Sequence, residues 1–96
     1  MMIQTSATSV GKSTILLANP TTKAAATNKW MYQTAESADK LASIKHGTAI
    51  SADAWTAMAD TTVEITPTSG HKFVRVVEVD ASNKPVGYGD AILNIG

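Results

Sequence analysis

The stretch TVEITPTSGHKFVRVVEVDASNKPVGYGDAILNI, Thr62 to Ile95, decides the fold. Thr62–Thr66 alternates apolar and polar side chains, Pro67–Gly70 is turn chemistry, and His71–Asp80 is a long run rich in β-branched residues. Ala81–Pro85 turns the chain again, and Val86–Ile95 returns as a last strand loosened by Gly87 and Gly89. Within this hairpin no single alternation is clean. Phe73, Arg75, Val77 and Val79 share one side of the strand, Val74, Val76 and Glu78 the other, and both sides carry valine. Either a bulge sits near Val76-Val77, or the second face is covered as well, and that cover implies a partner. Val74 and Val76, with Tyr88 on the returning strand, are therefore the expected interaction face.

Upstream the same grammar continues with weaker signals. Lys12–Ala18 reads as a short strand closed by Asn19-Pro20, and Thr21–Asn28 as a connection. Lys29–Ala35 is a further strand, with Trp30, Tyr32 and Thr34 alternating against Met31 and Gln33. Residues 1–10 are small and polar apart from Met2 and Ile3, and read as either a flexible arm or a short edge strand, with the domain proper over 11–96. Lys40–Ile44 fits a strand or a helical turn equally. Trp55, Met58 and Ala59 follow Ser51 at helical spacing, which predicts one short helical turn over Ser51–Ala59, with Trp55 plugging an end of the core. Strands at roughly ten-residue spacing, joined by Gly, Pro and Asn turns, define an all-β sandwich of about six to seven strands.

Composition narrows the function classes. At 96 residues the chain supports one domain and one core. Eight Lys and Arg balance eight Asp and Glu with no basic stripe, so no nucleic-acid backbone is expected as partner. The start MMIQTSATS lacks the basic and apolar regions of a signal peptide. No apolar run approaches the roughly 20 residues of a membrane span, so a soluble protein is expected. The absence of cysteine removes disulfides, thiolate metal sites and thiol nucleophiles. Fifteen Ala, thirteen Thr and few long charged side chains make a quiet polar surface, suited to modules that are displayed or packed against copies of themselves.

The motifs that suggest chemistry each fall short of it. SVGKST (residues 9–14) contains the Gly-Lys-Ser of a phosphate loop, but residue 6, where the first glycine belongs, is Ser, and Asn19-Pro20 arrives before a helix can form. VVEVD (residues 76–80) imitates the strand that ends in a magnesium-binding Asp, yet 96 strand-dominated residues cannot supply the βαβ scaffold for the pair. Gly87-Tyr88-Gly89 has no helix after it and is no dinucleotide fingerprint. His46 and His71 lie in turns far apart and lack a third ligand. Asp80, Asn83 and Asp90 follow no calcium-loop spacing, and Asp80 to Asn83 is ordinary turn chemistry. No G-x-S-x-G elbow is present. Trp30, Tyr32 and Trp55 are either core or a sugar-stacking platform, and in a chain with only five aromatic residues the core has first claim. No catalytic residue, metal ligand or cofactor is expected.

EITPTSGHKFVRVVEVDASNKPVGYGDAILNI (residues 64–95) resembles the end of a small immunoglobulin-like β-sandwich repeat of phage and prophage virion proteins and bacterial surface proteins. The shared pattern is a strand and Gly turn, a VVEVDA strand, a polar turn with Lys, and a final strand containing glycine. KWMYQTA (residues 29–35) and DAWTAMAD (residues 53–60) stand where that repeat has an aromatic strand and a Trp segment, so the resemblance spans roughly residues 11–96. It implies a non-enzymatic structural or decoration protein of a phage-like particle. Its partners would be other virion subunits, copies of itself, or a host-surface glycan. A single copy beginning with its own Met favours a stand-alone virion subunit, such as a capsid decoration or tail accessory protein, assembled in the host cytoplasm. The alternative is a carbohydrate- or cell-surface-binding module that stacks its ligand on Trp30, Tyr32 or Trp55.

Overall fold

A computed structural model describes all of residues 1–96. Seven strands form in chain order: β1 (Met2–Ser6), β2 (Ser13–Asn19), β3 (Lys29–Ala35), β4 (Thr56–Met58), β5 (Thr62–Ile65), β6 (Phe73–Val79) and β7 (Pro85–Ile92). All pairings are antiparallel. One sheet has the order β1-β2-β5 and the other β4-β3-β6-β7. Because β2 pairs with β5 and β3 with β6, neither sheet is built from contiguous chain, and the connections β2 to β3, β4 to β5 and β5 to β6 each pass from one layer to the other. The result is an immunoglobulin-like sandwich.

The inter-sheet core is filled from both layers. Ile3, Ile15, Leu17 and Ile65 from the three-stranded sheet meet Trp30, Met58, Val74 and Val76 from the four-stranded one. Val74 and Val76 are wholly buried here, which corrects their expected place on an outer face. Period-two alternation says that Val74 and Val76 share a side with Glu78, but not which side meets the other sheet.

A second apolar layer lies on the opposite face of the four-stranded sheet. Met31, Val77 and Val79 pack there against Trp55, with Ala42, Ile44 and Ile50 alongside. The connection between β3 and β4 thus folds back over the sheet. The second face of β6 is covered, as one of the two expected arrangements required, but by the chain itself rather than by a partner. The register step in the hairpin falls between Glu78 and Val79, opposite Gly87 and Pro85, so Val86 is the extra residue and the bulge lies in β7 rather than near Val76-Val77.

The helical turn expected over Ser51–Ala59 is shorter. Ala52–Ala54 forms one 3₁₀ turn, a second covers Ala38–Lys40, and Ser51 makes no side-chain cap. Met58 is on a strand opposite Trp30 and faces inward, whereas Trp55, three residues earlier, faces the outer layer. An odd separation reverses faces in a strand, so the spacing that imitated a helix distributes these two side chains between two cores.

Of the two readings of residues 1–10, Met2–Ser6 adopts the edge strand, paired with β2 through Ile3↔Leu17 to Ser6↔Thr14. Its free side is tied to β7. The Thr5 hydroxyl donates to the Ile92 carbonyl, and Asn94 donates from its backbone N–H to Thr5 Oγ1 and from Nδ2 to the Thr5 carbonyl, both at 3.0 Å. Farther along the same seam the Met1 carbonyl lies on Gly89, where a β-carbon has no room.

Candidate interaction face on the four-stranded sheet

β7 is the edge strand of the four-stranded sheet, and Tyr88, Asp90 and Ile92 project from its outer face in register with Val77, Arg75 and Phe73. The β3–β4 connection covers Val77 and Val79 but stops short of this strand. Ile92 is 64% exposed, Val86 at the bulge 52%, and Tyr88 46%. Val86 and Tyr88, with Ile44, His46, Pro85 and Gly87, line an open cleft of about 340 Å³.

A polar lattice under this face holds the connection in place. Arg75 Nε and Nη2 donate to Asp90 Oδ1 and Oδ2 at 2.7 and 2.9 Å, and Nη1 donates to the Ala42 carbonyl at 2.8 Å. The guanidinium carbon lies 5.0 Å from the Tyr88 ring centroid, a cation–π contact that orients the ring. The hydrogen-bonded Asp90 carboxylate raises the Arg75 pKa above its ordinary value despite partial desolvation. Beside it on β3, Gln33 accepts from the Ala42 N–H at 2.7 Å and donates to the Ala54 carbonyl at 3.0 Å. Gln33 and Arg75 are neighbours across β3 and β6, so two polar side chains pin both ends of the connection.

Of the two readings of the aromatics, core or sugar-stacking platform, Trp30 and Trp55 take the first: they are buried in the inner and outer cores, where packing consumes the faces a sugar would need, and Tyr32 is half-buried against the inner one. Of the three residues expected on an interaction face, Tyr88 alone is exposed.

The phosphate-loop candidate is also accounted for. Gly11, at φ +73°, donates its N–H to the Gly96 carbonyl at 2.7 Å, and the Lys12 N–H goes to the Ser9 carbonyl at 3.0 Å. These amides are spent on the protein's own carbonyls. Lys12 Nζ lies 3.7 Å from Glu64 Oε1, and Ser13 opens β2 as a buried residue. His71 Nδ1 shares a 2.7 Å hydrogen bond with the Thr34 hydroxyl, and no three His, Asp or Glu side chains converge as a metal site. Asp80 Oδ1 accepts from the Ser82 and Lys84 N–H groups, the turn role its spacing suggests, and those bonds hold its carboxyl below the usual range. No helix is long and apolar enough to cross a membrane.

Gln33, Arg75 and Ile92 were not singled out by sequence. The available signal was Arg75, the one polar side chain on the Phe73, Val77 and Val79 side of its strand, with Gln33 following Met31 on one side of β3.

An interlocked sandwich with a partly uncovered edge face is a β-module of the kind found in surface proteins. The chain belongs to the family of the S-layer protein SbsC C-terminal domain, whose model matches residues 5–95. This is a bacterial surface-protein domain family, structural rather than catalytic, and it agrees with the bacterial-surface part of the resemblance while lending the virion part no support. No curated protein and no solved structure matches the chain significantly.

Proposed function

We propose that this chain is a non-enzymatic structural module of a bacterial cell surface that associates with copies of itself through the outer face of β7. The observation that carries this reading is that three exposed apolar side chains, Val86, Tyr88 and Ile92, share one edge strand, whereas the other exposed large apolar side chains, Met2, Val10, Leu16 and Ile95, lie on other segments. Tyr88 is the anchor: a large amphipathic ring held by Arg75 loses little conformational freedom when a partner buries it. Each contact is small, and an array in which every copy makes the same contact turns it into avidity. Of the two settings implied by the resemblance, we take the bacterial surface because the family match supports that one.

Sedimentation velocity tests this. The protein is expected to show concentration-dependent association that Tyr88→Asp and Ile92→Lys each abolish while the circular-dichroism spectrum is retained. A monomer at all concentrations up to about 1 mM, the weak end of specific affinity, overturns the reading.

The carbohydrate alternative moves with the aromatic that is exposed. Tyr88 and its cleft, rather than Trp30, Tyr32 or Trp55, are where a glycan ring would stack. Titration with cell-wall glycan, followed by amide NMR shifts at Gly87 and Tyr88, tests that version separately.

A further inference from the structure

A second site lies at the opposite face of the β6–β7 hairpin. Glu78 is 3% exposed on the inner side of β6, opposite Gly87 on β7 and Trp30 on β3. Its Oε2 accepts two hydrogen bonds, from the Ala24 N–H at 2.8 Å and from Asn28 Nδ2 at 2.7 Å. No hydrogen bond falls on Oε1, and no ion pair reaches this carboxylate, the ion-paired acids being Glu36, Glu64 and Asp90. Lys23, in the connection beside it, has its ammonium 5.1 Å from the Trp30 ring centroid. Glu78 is the buried member of the lining of an open cleft of about 350 Å³, whose other walls include Met1, Pro20, Thr22, Val86 and Gly87.

We infer that this cleft binds a primary alkylammonium group. Burying a carboxylate without a counter-charge is costly, and an oxygen that retains solvent access through a cleft is a ready acceptor for a cationic donor. One oxygen is already occupied by two N–H donors. A guanidinium, which needs both oxygens for its fork, is therefore served poorly, while a compact ammonium needs only one. A metal ion is disfavoured because no group of three acidic or imidazole side chains converges here. Pro20, Val86 and Met1 offer apolar walls for a methylene stem, the way a lysine buries its chain while its head is solvated or paired. The ligand class is thus an unbranched primary amine, either a lysine side chain of another protein or a free alkylamine. The cleft shares Val86 and Gly87 with the one beside Tyr88, but its acceptor, Glu78, lies on the opposite side of the sheet from Tyr88 and Ile92.

Amide NMR titration of the full chain with n-butylammonium and with N-acetyl-lysine methylamide tests the inference. Saturable shifts confined to Thr22, Ala24 and Gly87 are expected with both, and none with n-butanol at equal concentration. Tighter binding of the lysine derivative assigns the site to a protein lysine, and tighter binding of butylammonium to a free amine; either order supports the ammonium site. Glu78→Gln keeps an acceptor for Ala24 and Asn28 and should weaken binding at least tenfold. Gly87→Leu is the independent check should Glu78→Gln fail to fold. A β-carbon at Gly87 meets nothing within 4 Å, so this variant fills the cleft with Glu78 intact and should weaken binding equally. Absence of saturable shifts, equal shifts with n-butanol, or binding unchanged by Gly87→Leu overturns the inference.

Discussion

Arg75 on β6 and Asp90 on β7 face each other across the hairpin and close a two-bond ion pair of 2.7 and 2.9 Å, while the third donor of the same guanidinium reaches the Ala42 carbonyl. One side chain therefore links the edge strand, its neighbour and the connection that covers the outer core. Arg75→Ala should destabilise the protein by about 1–3 kcal/mol in urea unfolding, the scale of losing charge-assisted bonds that are partly buried. Arg75→Lys should recover little of this, since an ammonium cannot form the fork. Asp90→Asn, at a more exposed partner, should cost less, about 0.5–1 kcal/mol. Equal losses for Arg75→Ala and Asp90→Asn would show that the Ala42 contact contributes nothing.

Trp55 is the largest side chain lent by the connection to the outer core. Trp55→Ala should cost about 3–5 kcal/mol, in the range of large-to-small aromatic truncations. Hydrogen exchange should then rise over residues 36–54 more than in β2 or β5, because the loss is local to the cover. In the unaltered protein both tryptophans, 5% and 7% exposed, should resist acrylamide quenching.

Gly87 and Gly89 share a strand and differ in what surrounds them. A β-carbon at Gly87 meets open space, whereas at Gly89 it runs into the Met1 carbonyl. Gly87→Ala should leave the thermal midpoint nearly unchanged. Gly89→Ala should lower it and loosen the β1–β7 seam, seen as faster exchange at the Asn94 amide that donates to Thr5.

Asp80 sets an acid limit on the β6–β7 turn. Its folded-state pKa is lowered, first by the bond from the Lys84 N–H and then by that from Ser82. The stability it contributes is therefore present above its ordinary value of 3.8 and is lost as pH falls through the lower folded value. Thermal midpoints measured from pH 5 to pH 2 should fall less steeply for Asp80→Asn, which keeps an acceptor without a titrating proton. Identical slopes for the two proteins would remove Asp80 from the acid transition.

The candidate face was only partly legible in the sequence. Tyr88, expected on that face with Val74 and Val76, is exposed on β7. Val74 and Val76 were misplaced because β6 carries valine on both sides, so its pattern carries no sign. Gln33 and Arg75 were passed over because their role depends on the backbone N–H and carbonyl of Ala42 and the carbonyl of Ala54, partners 9 to 33 residues away in the chain.

What the sequence determined by itself was the inventory: strands within Lys29–Ala35, Thr62–Thr66 and His71–Asp80, their turns, and an all-β class with no scaffold for nucleotide chemistry. Local backbone preference and side-chain alternation are properties of short segments, and they survive in any tertiary context that buries one face. Only the tertiary structure decided that the connection over residues 36–55 returns to cover Met31, Val77 and Val79, and that the outer face carrying Tyr88 and Ile92 stays open. Those outcomes depend on which sheet each strand joins. Strand order β4-β3-β6-β7 is set by burial summed over both layers, a quantity no short stretch contains.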